Sequence, residues 1–240
     1  MGRSNRAMRT AFLTWLALSM GCALPGSMAP GADSSGTSRT GCVPIPGGVL
    51  DDGGGQRVEI AAYCLEATEV TVRQYDECVQ AGACSGELEL GQKDDGWCET
   101  PLPGCQRRKQ RTCNSSFSDR DGFPVNCVDL GQAQAYCSWQ GRRLPTGAEQ
   151  RWEIVGGAEG RTWPWGESEP TCSTMSTWQN DCPLLRGPTA PVGAAPQGRS
   201  VHGIYDLVGN VSEWVTDPQE RVSEVRSARI GFRCAESRAP

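Results

Sequence analysis

The sequence "GIYDLVGNVSEWVTD" at residues 203–217 is followed, after a short interval, by "IGFRCA" at residues 230–235. The first segment places the carboxylate of Glu213, the side chain of Asn210 and several backbone carbonyls within one tight turn. Oxygen donors of this kind are the ligands that Ca²⁺ prefers, so the turn is a candidate calcium site. The alternative is structural: Glu213 caps the turn while Trp214 fills the core.

The first 22 residues have the features of a secretory signal peptide. Three arginines precede the apolar run "TAFLTWLALSM", which is too short to span a bilayer unaided, and small residues follow it. Cys22 lies where a bacterial lipoprotein is cleaved and acylated, although Ser19 and Met20 match that signal poorly. The sequence therefore predicts export, either to the cell envelope with a lipid on Cys22 or as a secreted protein. Residues 23–41 have little to bury and are predicted to form a flexible linker.

The cysteine content also points to export. The chain has 13 cysteines, and an even number remains without Cys22, so disulfides are the expected state. Zinc is the alternative, but the chain has no C-x-x-C pair and a single histidine, His202. The full connectivity cannot be derived from sequence, and we predict only two local loops, Cys78–Cys84 and Cys172–Cys182.

The composition of residues 42–240 predicts a loop-rich α+β fold. Glycine and proline are spread through this region, aliphatic runs are short and tryptophan is frequent. A formal net charge of -5 with no basic block argues against a nucleic-acid partner. A protein or peptide partner of unknown identity is expected instead.

Three short helices are predicted from capping boxes, in which two side chains three residues apart satisfy backbone amides at the helix start. The pairs are Thr71 with Gln74, Asp129 with Gln132, and Thr146 with Glu149. Gly82 and Gly141 are expected to end the first two helices. Alternating apolar residues predict a strand within residues 58–70.

Four other residues are given structural roles. Trp163, Trp165 and Trp214 are expected in the core and not in a ligand-stacking surface, because buried tryptophan is common in a fold that has few aliphatic residues. His202 is expected to be a turn residue, because no adjacent serine or cysteine suggests a catalytic pair.

Six segments together resemble the formylglycine-generating enzyme family, also called the sulfatase-modifying factor family. In order they are "EVTVRQYDECV", "FPVNCVDLGQAQAYCSWQGRRLPTGAE", "WPWG", "APVG", "GIYDLVGNVSEWVTD" and "IGFRCA". The resemblance covers residues 42–234 and implies one domain over residues 42–240. It also implies the family's fold, a variant of the C-type lectin fold with little regular secondary structure. Members of the family include oxidases that convert a sulfatase cysteine into formylglycine, and exported proteins without assigned chemistry.

The resemblance implies a calcium ion at the turn quoted first. The family pattern places main-chain ligands at Val208, Gly209 and Val211 and a carboxylate ligand at Glu213, with Asn210 as a further oxygen donor. Calcium is therefore favoured over the structural alternative.

A second family calcium site falls in residues 172–189. Asn180 and Asp181 offer oxygen atoms there, but Ser176 stands where relatives place an asparagine. A Cys172–Cys182 disulfide could hold this loop in place of an ion. One calcium site is expected in the whole domain.

The interval "PQERVSEVRSAR" at residues 218–229 departs from the active members of the family. The resemblance implies that active members carry here a longer stretch with two cysteines that bind Cu(I), a soft ion that prefers thiolates. This interval has no cysteine, so copper is not expected. The predicted function is a non-catalytic binding or scaffold protein. The alternatives are a copper-dependent oxidase that uses another site, and a truncated, inactive member.

Overall fold

Seven short strands and three helices form the regular secondary structure of the residues that the computed structural model describes, which are 41–51, 55, 57–88, 113–175, 189–216 and 226–238. These residues belong to one unit of the chain, Thr37–Pro240. The predicted signal peptide, its Cys22 and the predicted linker lie outside the described residues. Within the described part, no helix is long and apolar enough to cross a membrane.

The strands pair into three small sheets. In chain order they are β1 (Cys42–Ile45), β2 (Gly48–Asp51), β3 (Arg57–Ile60), β4 (Tyr63–Glu66), β5 (Ser212–Glu213), β6 (Ile230–Gly231) and β7 (Ala235–Ser237). β4 lies between β1 and β7 in an antiparallel sheet, so the two ends of the domain meet at one buried strand. β2 and β3 form an antiparallel pair, and β5 and β6 form a parallel pair of two residues each.

The three helices begin where the sequence predicts. They are α1 (Val72–Gln80), α2 (Leu130–Trp139) and α3 (Gly147–Ile154), and the predicted capping box forms at the start of each. Gly82 and Gly141 follow α1 and α2 with φ of 71°, the left-handed conformation that ends many helices. The single strand predicted within residues 58–70 is instead two strands, because the chain leaves the β2–β3 pair at Ala61 and enters the central sheet.

The main core joins α1 and α2 to the C-terminal segment. Tyr75 stacks on Tyr136 with ring centroids 5.9 Å apart, and Phe232 meets Tyr136 edge-on at 5.4 Å. A disulfide between Cys137 and Cys234 crosses the same cluster. The residues that follow the short interval 218–229 therefore complete the core.

The three tryptophans expected in the core have two different environments. Trp214 is buried and its Nε1 donates to the Val128 carbonyl, so the prediction is confirmed there. Trp163 and Trp165 are half-buried and stack on each other, with centroids 5.5 Å apart. The prediction was wrong for these two residues. Backbone hydrogen bonds between Trp163 and Gly166 close a short turn, and within it the two rings cover each other.

Disulfides close both short and long loops of the described chain. The pairs are Cys42–Cys64, Cys78–Cys84, Cys113–Cys127 and Cys137–Cys234. Cys78–Cys84 is one of the two predicted loops. Cys172 is disulfide-bonded, but Cys182 lies outside the described residues, so the second pairing stays a prediction. Cys137 and Cys234 are 97 residues apart, and a cross-link over so long a loop strongly limits the unfolded chain.

Candidate functional site

The turn that leads to Glu213 has an uncommon backbone conformation. Asp206 and Asn210 have φ of 55° and 50°, and Gly209 has φ of 103°. Aspartate and asparagine tolerate the left-handed region better than most residues, because their short polar side chains bond locally. Oδ1 of Asn210 accepts a hydrogen bond from the Ala190 amide at 3.0 Å. This bond fixes the turn to a neighbouring segment.

Glu213 points into the protein and forms a buried pair with Arg233. Nε and Nη2 of Arg233 donate to the two carboxylate oxygens at 2.8 and 2.6 Å, and the two side chains are 0% and 2% exposed. Gln150 of α3 donates to the same carboxylate at 3.0 Å. Burial alone would lower the pKa of Arg233, but the Glu213 carboxylate raises it above its usual value.

Three carbonyl oxygens of the turn have no hydrogen-bond donor among the described residues. The carbonyl oxygens of Val208, Gly209 and Val211 accept no hydrogen bond from any residue that the structure describes. Carbonyl oxygens together with the Glu213 carboxylate form a donor set that suits Ca²⁺. No group of three or more His, Cys, Asp or Glu residues in the described ranges is placed to hold a metal ion. An ion at this turn would therefore depend mainly on main-chain oxygens.

Two further carboxyl groups lie beside the Glu213–Arg233 pair. Glu69 is 1% exposed, and neither of its carboxylate oxygens has a hydrogen-bond partner. Burial, followed by the charge of Asp206, raises the pKa of Glu69 well above its usual value. Asp206 is also buried and accepts a hydrogen bond from the Gly193 amide. Because ionised carboxylates only accept, Glu69 and Asp206 can bond to each other only when one holds a proton.

A second buried carboxylate site lies on α3. Glu153 is fully buried, and one of its oxygens accepts a hydrogen bond from Ser200. The other oxygen lies 2.8 Å from Nδ1 of His202, whose side chain is 23% exposed. His202 lies in a turn, as predicted. Its carboxylate partner is 49 positions away, so no short motif could reveal it.

None of the described cysteines supplies a free thiol. All nine are disulfide-bonded: Cys42, Cys64, Cys78, Cys84, Cys113, Cys127, Cys137, Cys172 and Cys234. Residues 217–225, which make up most of the shortened interval, lie outside the described part of the chain. The candidate site of the described residues is therefore the turn at residues 208–213, and the described residues contain no pair of free thiols.

These features define a loop-rich α+β domain, held by disulfides, whose C-terminal segment returns to a central strand. The chain belongs to the family of the FGE-sulfatase domain, described as "Sulfatase-modifying factor enzyme 1-like domain", whose family model matches residues 28–231. The family predicted from the six sequence segments is confirmed, as is the fold class. The match begins within residues 23–41, which the sequence predicts to be linker.

Relatives of this chain include both enzymes and a protein named as inactive. Formylglycine-generating enzyme of Bos taurus is 30% identical over 236 residues, which are 80% of this chain and 61% of that protein. Inactive C-alpha-formylglycine-generating enzyme 2 of Bos taurus is 36% identical over 121 residues, 46% of this chain and 38% of that protein. This chain therefore spans only part of the length of these relatives.

A solved structure supports the fold. PvdO from Pseudomonas aeruginosa has a TM-score of 0.60 and 20% identity, over 82% of this chain and 94% of that one. At this identity the likeness concerns the fold alone.

Several residues around the turn were not singled out from sequence. Glu69 carries the clearest missed signal, because it stands in the segment "LEATEV" between residues that become buried. Gln150 was not singled out either, yet its side-chain amide donates to the Glu213 carboxylate. Asp206 gives no signal of its own, since its burial depends on the fold of the turn.

Proposed function

We propose that this protein is an exported, non-catalytic domain of the formylglycine-generating enzyme family that binds a protein or peptide partner, with one Ca²⁺ stabilising its C-terminal turn. The observation that carries the proposal is the interval 218–229, which has no cysteine. The disulfide bonding of all described cysteines supports it, because a sulfur atom in a disulfide is not the thiolate that Cu(I) requires.

The relatives of this chain are compatible with a family member that has lost oxidase activity. One relative is named as an inactive formylglycine-generating enzyme, so membership of the family does not require oxidase activity. Phe232, Cys234 and Ala235 are fully buried, which indicates that the segment after the short interval still packs into the core. This burial argues against the alternative of a truncated protein that folds poorly.

Calcium binding is proposed at Val208, Gly209, Val211 and Glu213. The three carbonyl oxygens support it, because none of them accepts a hydrogen bond from the described residues and oxygen atoms are the ligands that Ca²⁺ prefers. Asn210 contributes the shape of the turn through its bond to Ala190. Calcium supplies no reaction step here; it would hold the turn against the core.

Export and the class of partner rest on the N-terminal sequence and the charge. The signal-like residues 1–22 support export to the cell envelope or beyond, and a lipid on Cys22 would tether the domain to a membrane. The net charge of -5 supports a protein or peptide partner and not a nucleic acid.

An oxidation assay tests the proposal that this protein has no oxidase activity. The purified full chain, loaded with copper, is incubated in air with a cysteine-containing sulfatase peptide, and the peptide mass is measured. We expect no change, whereas an active formylglycine-generating enzyme converts the same peptide under the same conditions. Formylglycine formation by this chain would contradict the proposal and support the oxidase alternative. That alternative requires free thiols among Cys98, Cys105 and Cys182, which lie outside the described residues.

A further inference from the structure

The loop at residues 113–123, which lies beside α1, is held in place by several contacts. The Cys113–Cys127 disulfide closes it. Asn114 is fully buried, and its side-chain amide donates to the Pro124 carbonyl at 2.7 Å. The first amide of α1 donates to a carbonyl of the loop at 2.9 Å. A loop fixed in this way has little conformational entropy to lose when it binds a partner.

This loop exposes an aromatic side chain next to an arginine. Phe117 is 36% exposed, and the only other large hydrophobic side chain exposed among the described residues is Val49. The guanidinium carbon of Arg120 lies 4.2 Å from the centre of the Phe117 ring and 5.2 Å from that of Phe123. Nη1 of Arg120 donates to Asn114 at 2.8 Å, which fixes the guanidinium group. Aromatic and arginine side chains are enriched in the cores of protein interfaces.

The surface formed by α1 and this loop has more negative than positive charge. It contains four carboxylates, Asp76, Glu77, Asp119 and Asp121, and two guanidinium groups, Arg73 and Arg120. The Arg73 amide donates to the Asp121 carbonyl at 3.1 Å, so the two elements lie side by side. Burial and the Asp121 carboxylate raise the pKa of Asp76, as expected of like charges placed close together. A positively charged partner would relieve this repulsion.

The combination of these features indicates the chemistry of a partner. A single exposed phenylalanine is common on protein surfaces and needs no explanation by itself. Here Phe117 occurs on a fixed loop, beside a stacked arginine and within an excess of negative charge. Lysine and arginine side chains have an apolar stem and a charged end, and they also bind to the faces of aromatic rings. A basic segment could therefore cover Phe117 and meet the carboxylates at the same time.

We infer that Phe117, Asp119 and Asp121 of the loop, together with Asp76 of α1, form a docking surface for a basic segment of a partner protein, in which lysine or arginine stands next to an apolar residue. This inference rests on the binding function proposed above, and it names the surface and the chemistry of the partner. The surface contains none of the residues of the turn at 208–213.

Selection from a displayed library of random peptides tests the surface without a known partner. The full-length wild-type chain and the variant Phe117→Ser each select peptides from the same library, with calcium present. Peptides that the wild type retains and the variant loses are synthesised, and their affinities are measured by titration calorimetry. Val49→Ser is the matched control, because it removes the other exposed large hydrophobic side chain.

We expect the peptides that depend on Phe117 to carry lysine or arginine next to an apolar residue. Phe117→Ser should weaken their binding by about tenfold or more, which is the effect of losing a residue that contributes much of the binding energy. Val49→Ser should bind the same peptides as the wild type does.

A charge variant tests the same surface without changing the aromatic stack. Asp119 is exposed, and Asp119→Asn should weaken binding of the selected peptides and make it less dependent on salt, because exposed charges act through long-range attraction. Glu169→Gln removes an exposed carboxylate from another loop and should change neither property.

Three results would overturn the inference. Peptides that depend on Phe117 but are neutral or acidic would contradict the chemistry of the partner. Equal losses of affinity in Phe117→Ser and Val49→Ser, or equal salt dependence of the wild type and Asp119→Asn, would contradict the surface. A selection without any peptide that depends on Phe117 would also remove this surface. The oxidation assay tests the absence of oxidase activity independently of all three results.

Discussion

Glu69 and Glu153 are buried to the same degree, 1% and 0% exposed, yet their surroundings are opposite. Glu153 uses both carboxylate oxygens, one with Ser200 and one with His202. Glu69 has only a second acid, Asp206, beside it, and the two can bond to each other only when one holds a proton. Burial alone therefore does not define the role of a buried acid.

The difference lies in what each carboxylate needs. Glu153 holds the turn at residues 200–204 against α3, and protein groups meet its hydrogen-bonding requirement. Such a residue stabilises the fold whether or not a ligand is present. Glu69 depends instead on another acid, so its hydrogen bonding is complete only while Glu69 or Asp206 holds a proton.

Replacing Arg233 with methionine should have the largest effect. The substitution leaves Glu213 buried without its bidentate partner and should cost about 3–5 kcal/mol of unfolding free energy. Chemical denaturation with calcium chelated is the measurement. Arg226→Met is the control, because the Arg226–Asp129 pair is partly exposed and should contribute at most about 1 kcal/mol. Similar losses of unfolding free energy in the two variants would show that the buried pair contributes no more to stability than the partly exposed pair.

Replacing Glu153 with glutamine should come next. The neutral amide would replace a carboxylate acceptor of Ser200 and His202, so the stronger hydrogen bonds to a charged group are lost, at a cost of about 1–3 kcal/mol. Denaturation in calcium-free buffer measures the loss, and Glu69→Gln in the same buffer should show none. If both variants lose the same free energy, the distinction between the two glutamates is wrong.

The pH dependence of the calcium-free protein should sharpen the contrast. Burial and the neighbouring Asp206 raise the folded-state pKa of Glu69 above its unfolded value. As the pH rises above about 4.5, the unfolded chain ionises first, so stability falls by up to about 1.4 kcal/mol per pH unit until Glu69 ionises in the folded protein. The unfolding free energy of Glu69→Gln should fall less steeply over this window. Parallel curves for the two proteins would contradict a raised pKa of Glu69 in the folded protein.

The smallest effect is expected at Gln150. Its amide donates to the Glu213 carboxylate, which Arg233 already binds through both oxygens. Gln150→Ala should therefore cost about 0.5–1.5 kcal/mol in the same denaturation experiment. A loss as large as that of Arg233→Met would mean that Gln150, and not Arg233, holds Glu213 in place.

The local features of the fold could be predicted from sequence. The capping boxes at Thr71, Asp129 and Thr146 formed as expected, because both partners of each box lie within one turn of helix. The same holds for the short disulfide loop Cys78–Cys84. The burial of Trp214 was also predicted.

The contacts that define the two carboxylate sites could not be predicted in this way. Ser200 and Glu153 are 47 positions apart in sequence, and Arg233 and Glu213 are 20 apart. The packing of α3 against the turn at residues 200–204 brings the first pair together, and the pairing of β5 with β6 brings the second pair together. The stacking of Trp163 on Trp165 was missed for a related reason, since burial of a ring depends on where its turn lies.

The central claim is that this domain has kept the family fold without the thiol pair that binds copper. The most direct measurement is a count of free thiols in the mature protein, unfolded without reductant, with the disulfides mapped by mass spectrometry and Cu(I) binding measured on the native protein. We expect every cysteine from Cys42 onward to be oxidised and no stoichiometric Cu(I) binding. Two free thiols in one chain that bind Cu(I) in the folded protein would contradict the claim.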